Sequence, residues 1–184
     1  MRLFAALPLP GAVAASLQEA VSGLRASGWP VRWVARDDWH VTLAFFGEVD
    51  TTRAASLDAV LDDAVRATAP VTLEPVALRP VPGGARARML WLELGSEPAV
   101  ELLAHRIARG ASAVGVGTEG AAFRPHVTLG RVVRGARLPA EVMTCLSSLE
   151  PPPAFLVDEV RLFESHLGAG PPRYEVRHVA RLVA

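Results

Sequence analysis

The sequence has no lysine and a single cysteine, and both shortages narrow the possible chemistry. All 19 basic residues among the 184 are arginine, which excludes a Schiff-base lysine and the lysine of a P-loop. Cys145 is the only cysteine and cannot form an internal disulfide, so we expect a reducing, cytoplasmic environment. The 19 basic residues are balanced by 19 acidic ones. Proteins that coat long nucleic acids usually carry a basic excess, so a small ligand or a nucleic-acid end suits this chain better.

Several common signatures are also missing. There is no G-x-S-x-G elbow, no P-loop, and no G-x-G-x-x-G after a strand. No apolar run reaches the roughly 20 residues of a membrane span. The N-terminal "MRLFAALPLPGAVAASL" resembles a short signal peptide, but Pro8, Pro10 and Gly11 interrupt its apolar run. We therefore expect this segment to be retained as part of the fold, and no membrane association.

The order of predicted elements is the first positive signal. Hydrophobic patterns and breakers predict strands over 2–7, 31–34, 39–47, 71–78, 88–94, 126–133, 155–165 and 173–183, and helices over 12–26, 51–68, 97–113 and 139–149. Thr51 or Thr52 is the expected cap of the second helix and Ser96 that of the third. Both halves thus follow a similar order, without a linker between them. We predict one α+β domain over 1–184, with two pseudo-symmetric lobes (about 1–80 and about 85–184) and antiparallel sheets around a central cleft.

The same tetrapeptide, His-Val-Thr-Leu, opens one predicted strand in each half. "WHVTLAFFG" contains His40 and Thr42, and "PHVTLGRVV" contains His126 and Thr128, in a chain with only five histidines. Residues i and i+2 of a strand face the same way. Each His therefore shares a face with its Thr, while the intervening apolar residues (Val41, Leu43, Val127 and Leu129) face the other way.

Two H-x-T faces across one cleft suit in-line displacement at phosphorus. One histidine can take a proton from the nucleophile while the other gives a proton to the leaving oxygen, because imidazole titrates near neutral pH. The threonine hydroxyls can donate to the non-bridging oxygens. This mechanism needs no metal and no cofactor. A metal site is the poorer interpretation, because neither motif has a second metal ligand at the usual spacing. A single H-V-T-L strand would more often be structural, but two copies at equivalent points of the two halves favour a functional role.

The paired motifs identify the chain as resembling the 2H phosphoesterases, in particular the RNA 2′,3′-cyclic phosphodiesterases also called 2′-5′ RNA ligases. The segments "MRLFAALPLP", "RWVARDDWHVTLAFFGEVD", "MLWLEL", "FRPHVTLGRVVR" and "LFESHLGAGPPRYEV" resemble family segments in family order. The resemblance implies hydrolysis of RNA 2′,3′-cyclic phosphate ends to 2′-phosphates, with tRNA fragments among the candidate RNAs. It also implies that His40 is the proton donor, His126 the proton acceptor, and Thr42 and Thr128 the phosphate ligands.

Residues next to the motifs are candidates for binding the substrate. Arg131 is a candidate phosphate ligand by the resemblance, although its strand parity opposes that of His126 unless Gly130 forms a bulge. Arg124, Phe123 and Tyr174 are candidates for the cleft rim or for stacking on a base. Phe45 could stack on a base too, but parity places it in the core, as it does Trp39.

Three alternatives stay open. The same chemistry could act on a small cyclic nucleotide or on a 2′-5′ oligonucleotide, and a non-catalytic RNA-end binding module is a different class of protein. A monomer is the expected state.

Overall fold

The computed structural model describes residues 1–84, 86–120, 123–166 and 172–183. These form ten strands, namely β1 (Arg2–Pro8), β2 (Val31–Trp33), β3 (His40–Glu48), β4 (Val71–Leu73), β5 (Pro75–Val81), β6 (Met89–Leu94), β7 (His126–Val132), β8 (Phe155–Val157), β9 (Glu159–His166) and β10 (Arg173–Arg181). The α-helices are α1 (Gly11–Ala20), α2 (Ser22–Ala26), α3 (Thr51–Val65), α4 (Pro98–Ala113) and α5 (Val142–Ser147), and residues 36–38 form a 3₁₀ turn. None of the helices in these described ranges is both long and apolar enough to cross a membrane.

Antiparallel pairing joins eight strands into one sheet. Its order is β10-β9-β1-β3-β7-β6-β5, with β2 paired to β7, while β4 and β8 form a separate pair. The two central strands meet at one residue pair, Val41 with Val127. Beyond this point β7 pairs with β2 instead, through Val31 and Val132 among others. The sheet therefore consists of two lobes joined at a narrow seam between β3 and β7.

The two lobes do not coincide with the two halves of the chain, which differs from the sequence-based expectation. The late strand β9 lies beside β1, and the early strand β5 lies beside β6. Each half thus supplies two strands to the other lobe: the second half contributes β9 and β10 to the lobe of β3, and the first half contributes β2 and β5 to the lobe of β7. The hydrophobic pattern of the sequence cannot reveal this exchange, because a strand has the same pattern of buried residues in either lobe.

The core lies on one face of this sheet. Leu3, Leu7, Val41, Val127 and Leu129 are almost fully buried there, and Leu17, Leu57, Leu103 and Ile107 from the helices belong to the same cluster. We call this the core face, and we call the opposite face, which carries His40 and His126, the open face. The first predicted strand is central to the sheet, because β1 pairs with both β3 and β9.

Several local predictions need correction. Asp50, not a threonine, caps α3 by accepting from the amide of Arg53 at 2.9 Å. Glu97 caps α4, because the hydroxyl of Ser96 instead donates to the carboxylate of Glu101. In each case the carboxylate of the residue before the helix accepts from one of the amides that the first turn leaves free.

Three predicted continuous elements are interrupted. The helix predicted over 12–26 breaks at Val21 into α1 and α2. The strand predicted over 71–78 breaks at Glu74, after which the chain leaves β4 and joins the large sheet as β5. The strand predicted over 155–165 breaks at Asp158 in the same way, between β8 and β9. The helix predicted over 139–149 shortens to Val142–Ser147.

Candidate active site

The two motif histidines are anchored identically. His40 Nδ1 lies 2.7 Å from the carbonyl oxygen of Asp38, and His126 Nδ1 lies 2.7 Å from that of Arg124. A carbonyl oxygen only accepts hydrogen bonds, so each Nδ1 must carry the proton and donate it. Nε2 of each ring is therefore left free to accept a proton or, when charged, to give one.

The strand register places the two motifs opposite each other. Val41 pairs with Val127 in antiparallel strands. One step along each strand, this register sets His40 across from Thr128 and His126 across from Thr42. Both imidazoles and both hydroxyls thus lie on the open face around one local twofold axis, as the sequence predicts.

Matching bulges follow the two motifs and change which residues face the site. Opposite β1, the pairs Ala6–Thr42 and Ala5–Ala44 skip Leu43, and opposite β6 the pairs Trp91–Thr128 and Leu90–Gly130 skip Leu129. A skipped residue reverses the strand parity beyond it. The fourth residue of each motif therefore forms a bulge, and the residue two positions later turns to the open face.

Arg131 and Phe45 are the two residues that these bulges redirect. Arg131 pairs with Met89, two residues from Trp91 on β6, and so shares the open face with Thr128. Phe45 is 44% exposed, so the prediction that it lies in the core is wrong. Trp39 precedes the bulge and is only 3% exposed, which confirms its predicted burial. The two lobes thus present an arginine and a phenylalanine at equivalent positions.

Glycine at position 130 is required by close packing in the second bulge. A Cβ atom there would lie 2.5 Å from Cγ1 of Val31 and 3.3 Å from the carbonyl oxygen of Arg32. Only a residue without a side chain lets β2 approach β7 this closely. The glycine thereby helps to fix the backbone that directs Arg131.

Aromatic rings surround His40. Its ring centroid lies 4.9 Å from that of Phe4, 5.5 Å from that of Tyr174 and 6.0 Å from that of Phe163. Burial among these rings lowers the pKa of His40 to about 4, against the opposing effect of the Asp38 carbonyl and with a further lowering by the charges of His126 and Arg131. His40 is therefore neutral at pH 7 in the free protein.

His126 has a different environment. Trp91 stacks on it with ring centroids 3.6 Å apart and planes inclined by 18°, and the guanidinium of Arg124 lies 5.7 Å from the Trp91 ring centroid. Burial lowers the pKa of His126, while its bond to the Arg124 carbonyl raises it and the charges of Arg124 and Arg131 lower it. The charge of Arg131 thus lowers the pKa of both histidines, and its guanidinium contacts the sulfur of Met89 on the neighbouring strand β6, with Nη1 3.8 Å from Sδ.

The structure places two of the remaining predicted site residues, Tyr174 and Arg124, beside the motif histidines, but not the third, Phe123. Tyr174 lies edge-on to His40, and burial raises the pKa of its hydroxyl while the charge of Arg131 lowers it. Arg124 is exposed beside Trp91 and holds His126 through its backbone. Phe123 packs against the hydrophobic core, so the structure does not bring its ring to the two histidines as a stacking surface.

Sequence reasoning missed three rings of the site: Trp91, Phe4 and Phe163. A signal for Trp91 existed, because "MLWLEL" alternates, and leucines at 90, 92 and 94 on the core face put Trp91 on the other. Phe4 and Phe163 had no such signal. They depend on which strand lies beside β3, namely β1, and on β9 beside that.

Acidic, histidine and cysteine side chains do not cluster in this site. Across the described ranges, no three of them lie close enough to hold a metal ion. The groups that share the open face are instead two imidazoles, two hydroxyls and a guanidinium, a set that suits an anion such as a phosphate.

Comparison with known proteins agrees with this geometry. The family model of the 2′-5′ RNA ligase superfamily matches residues 12–169, which is most of the chain. The chain belongs to the 2′-5′ RNA ligase superfamily. A relative from Escherichia coli (strain K12) is named RNA 2′,3′-cyclic phosphodiesterase and is 30% identical over 94% of this chain and 92% of its own.

Two further similarities extend over nearly the whole chain. A Geobacillus stearothermophilus relative of the same name is 27% identical over 94% of this chain, which spans only about half (54%) of that longer protein. The crystal structure of TT0787 of Thermus thermophilus superposes with a TM-score of 0.82 at 26% identity, covering 99% of this chain and 98% of the other. The predicted α+β fold with antiparallel sheets is confirmed by this similarity.

Proposed function

We propose that this protein hydrolyses RNA ends that carry a 2′,3′-cyclic phosphate to 2′-phosphomonoesters, by general acid–base catalysis between His40 and His126. The observation that carries the proposal is the pair of identically anchored imidazoles, each with Nε2 free, on opposite sides of one seam. The names of the relatives in E. coli and G. stearothermophilus support the substrate class.

The proposed reaction is an in-line displacement. Nε2 of His126 takes a proton from water as the water oxygen bonds to phosphorus, and the bond from phosphorus to the 3′-oxygen breaks. Nε2–H of His40 gives its proton to that 3′-oxygen. The phosphate stays on the 2′-oxygen. This assignment of acid and base follows the resemblance, since local symmetry makes the reverse assignment chemically equivalent.

The other converging groups act on the phosphate. The Thr42 and Thr128 hydroxyls donate to the non-bridging oxygens, and the guanidinium of Arg131 neutralises charge that develops on them. In the free protein, burial among the aromatic rings keeps His40 neutral, and the charge of Arg131 adds a smaller effect in the same direction. The negative phosphate offsets the charge of Arg131 beside His40, which favours the protonated form that an acid requires.

The same site accounts for 2′-5′ ligation as a related reaction. A 5′-hydroxyl in the position of water would attack phosphorus with His126 as base, and the product would be a 2′-5′ phosphodiester. Water is the more abundant nucleophile, so we propose hydrolysis as the main reaction.

The direct test is to incubate the protein, with EDTA present, with a short RNA that ends in a 2′,3′-cyclic phosphate. We expect a 2′-phosphate end, identified by its resistance to a 3′-specific phosphatase. His126→Ala and His40→Ala should each lower kcat by about 10²–10⁴. A 3′-phosphate product, or activity that needs an added divalent ion, would contradict the proposal.

A further inference from the structure

A groove opens beside His40 at the N-terminal end of β3, next to the 3₁₀ turn of residues 36–38. It encloses about 600 Å³ and is bounded by the start of α1, by residues 36–38, and by parts of β8, β9 and β10. Tyr174 and His40 both line it, so the groove is continuous with the candidate active site.

Two apolar side chains in the wall of the groove are exposed. Leu156 on β8 is 56% exposed and Val176 on β10 is 44% exposed, and both line the groove, as Tyr174 does. Exposed apolar side chains within a concave groove beside a candidate site, unlike those scattered over a convex surface, offer a place where a ligand can pack. The flat face of a nucleobase suits such a wall.

The charges of the groove favour a base and a sugar over a phosphate. Its described lining includes Arg36 and Arg161 but four acidic residues, namely Asp37, Asp38, Asp158 and Glu159. Arg161 is held by Glu159, with 2.6 Å between Nε and the carboxylate. Carboxylates repel phosphate oxygens but accept hydrogen bonds from ribose hydroxyls and from amino groups of bases. The groove is therefore unsuited to a phosphate-binding track.

The orientation of the RNA chain across the seam between β3 and β7 follows from the proposed function, on which this inference rests. If His40 protonates the 3′-oxygen, the terminal ribose lies on the His40 side of the seam. Phe45 offers the terminal base an exposed ring five residues further along β3, away from Asp38. The groove lies at the Asp38 end of the strand, so it is left for the preceding nucleoside of the chain.

We propose that this groove is a second nucleoside subsite, which binds the base and ribose of the nucleotide immediately upstream of the cyclic phosphate. The base packs against Leu156, Val176 and Tyr174, and the carboxylate of Asp38 accepts a hydrogen bond from the ribose or base. The subsite makes the protein prefer an RNA end to a cyclic mononucleotide.

The test compares three substrates with the same terminal nucleoside: adenosine 2′,3′-cyclic phosphate, the dinucleotide ApA with that end, and the same dinucleotide lacking the upstream base. For the wild type we expect kcat/KM to rise about tenfold to a hundredfold from the first to the second, by the usual contribution of one stacked base, and to fall back for the third. Equal values for all three would overturn the subsite.

A double variant locates the effect. Leu156→Ser with Val176→Ser changes two exposed residues and should abolish most of the gain for ApA while leaving turnover of the mononucleotide within about twofold, since neither residue touches the reacting groups. The matched control is Val76→Ser with Val179→Ser, at exposed strand positions that do not line the groove (50% and 40% exposed). A gain that persists in the first double variant would place the upstream nucleotide elsewhere.

Failure of the proposed reaction can be told apart from failure of the subsite. If the wild type turns over none of these substrates, the proposed function is wrong, and calorimetric binding of adenosine 2′-phosphate and of ApA 2′-phosphate then tests the groove alone. Tighter binding of the dinucleotide, lost in the Leu156→Ser, Val176→Ser variant, would support the subsite. Equal binding of the two compounds would overturn it.

Discussion

Trp91 lies flat against the imidazole of His126, with ring centroids 3.6 Å apart and planes inclined by 18°. The equivalent position in the other lobe is Ala6, since Ala6 pairs with Thr42 as Trp91 pairs with Thr128. The two histidines have the same anchors but different neighbours. The candidate site is therefore symmetric in its paired histidines and threonines and asymmetric in the side chains that pack against them.

Trp91 is expected to act as a positioning residue for His126. Trp91→Leu should lower kcat by about threefold to tenfold, the usual contribution of one aromatic pair, while Trp91→Phe keeps most of the activity. Because burial is the main cause of the lowered pKa of His126, opening this side to water should raise that pKa toward 6.5. NMR titration of both imidazoles measures this. A pKa of His126 that stays fixed in Trp91→Leu would contradict the role.

The charge of Arg131 is expected to matter to both histidines. Arg131→Met should raise the pKa of His40 and of His126, because the guanidinium lowers both. It should also weaken binding of inorganic phosphate and lower kcat/KM. Arg134→Met, an exposed position just beyond β7, is the matched control and should change neither. If phosphate binds Arg131→Met as tightly as the wild type, Arg131 is not a phosphate ligand.

Gly130 should be intolerant of any side chain. In Gly130→Ala the added Cβ would meet Val31 and the backbone of Arg32, so β2 must shift. We expect a loss of about 1–3 kcal/mol in the free energy of unfolding, typical of overpacking, together with lower activity as Arg131 moves. Gly23→Ala is the control, since nothing lies within 4 Å of its Cβ position. Urea unfolding compares the two, and equal stabilities would show that the bulge adapts without cost.

His40 should make the stability of the protein depend on pH. Its pKa is about 4 in the folded state and 6.5 ordinarily, so the unfolded state binds a proton more readily. The folded state therefore loses stability as pH falls from about 6.5 to 4, by up to about 3 kcal/mol. His40→Gln lacks this titration and should lose correspondingly less between pH 7 and pH 4.5 in urea unfolding. Parallel losses in both proteins would mean that His40 titrates normally.

The pairing of each motif histidine with its threonine on one face could be predicted from the sequence, because it depends on local rules. Alternation along a strand places His40 with Thr42 and His126 with Thr128, and the order of elements indicates a duplicated fold. These inferences use only neighbours in the chain. The anchors follow the same logic, because each Nδ1 reaches a carbonyl just two residues back.

Features that depend on pairing between distant strands could not be predicted. Strict alternation along β3 and β7 places Phe45 in the core and Arg131 away from the site. One unpaired residue in each strand turns both side chains to the open face instead. The position of β9 and β10 beside β1 brings Phe163 and Tyr174 to His40 across more than a hundred residues of chain. Only the register and strand order contain this information.

The proposed acid and base roles of His40 and His126 can be separated by a substrate whose leaving group needs no proton. In 3′-deoxyadenosine 2′-(4-nitrophenyl phosphate), nitrophenolate takes the place of the 3′-oxygen and leaves as a stable anion. His40→Ala should then keep most of the wild-type rate, because the lost acid is not required, whereas His126→Ala should still lose about 10²–10⁴ for want of a base. Absorbance of released nitrophenolate gives both rates. The opposite pattern would reverse the assignment and would agree with the lowered pKa of His40, which leaves its imidazole unprotonated, as a base requires, in the free protein.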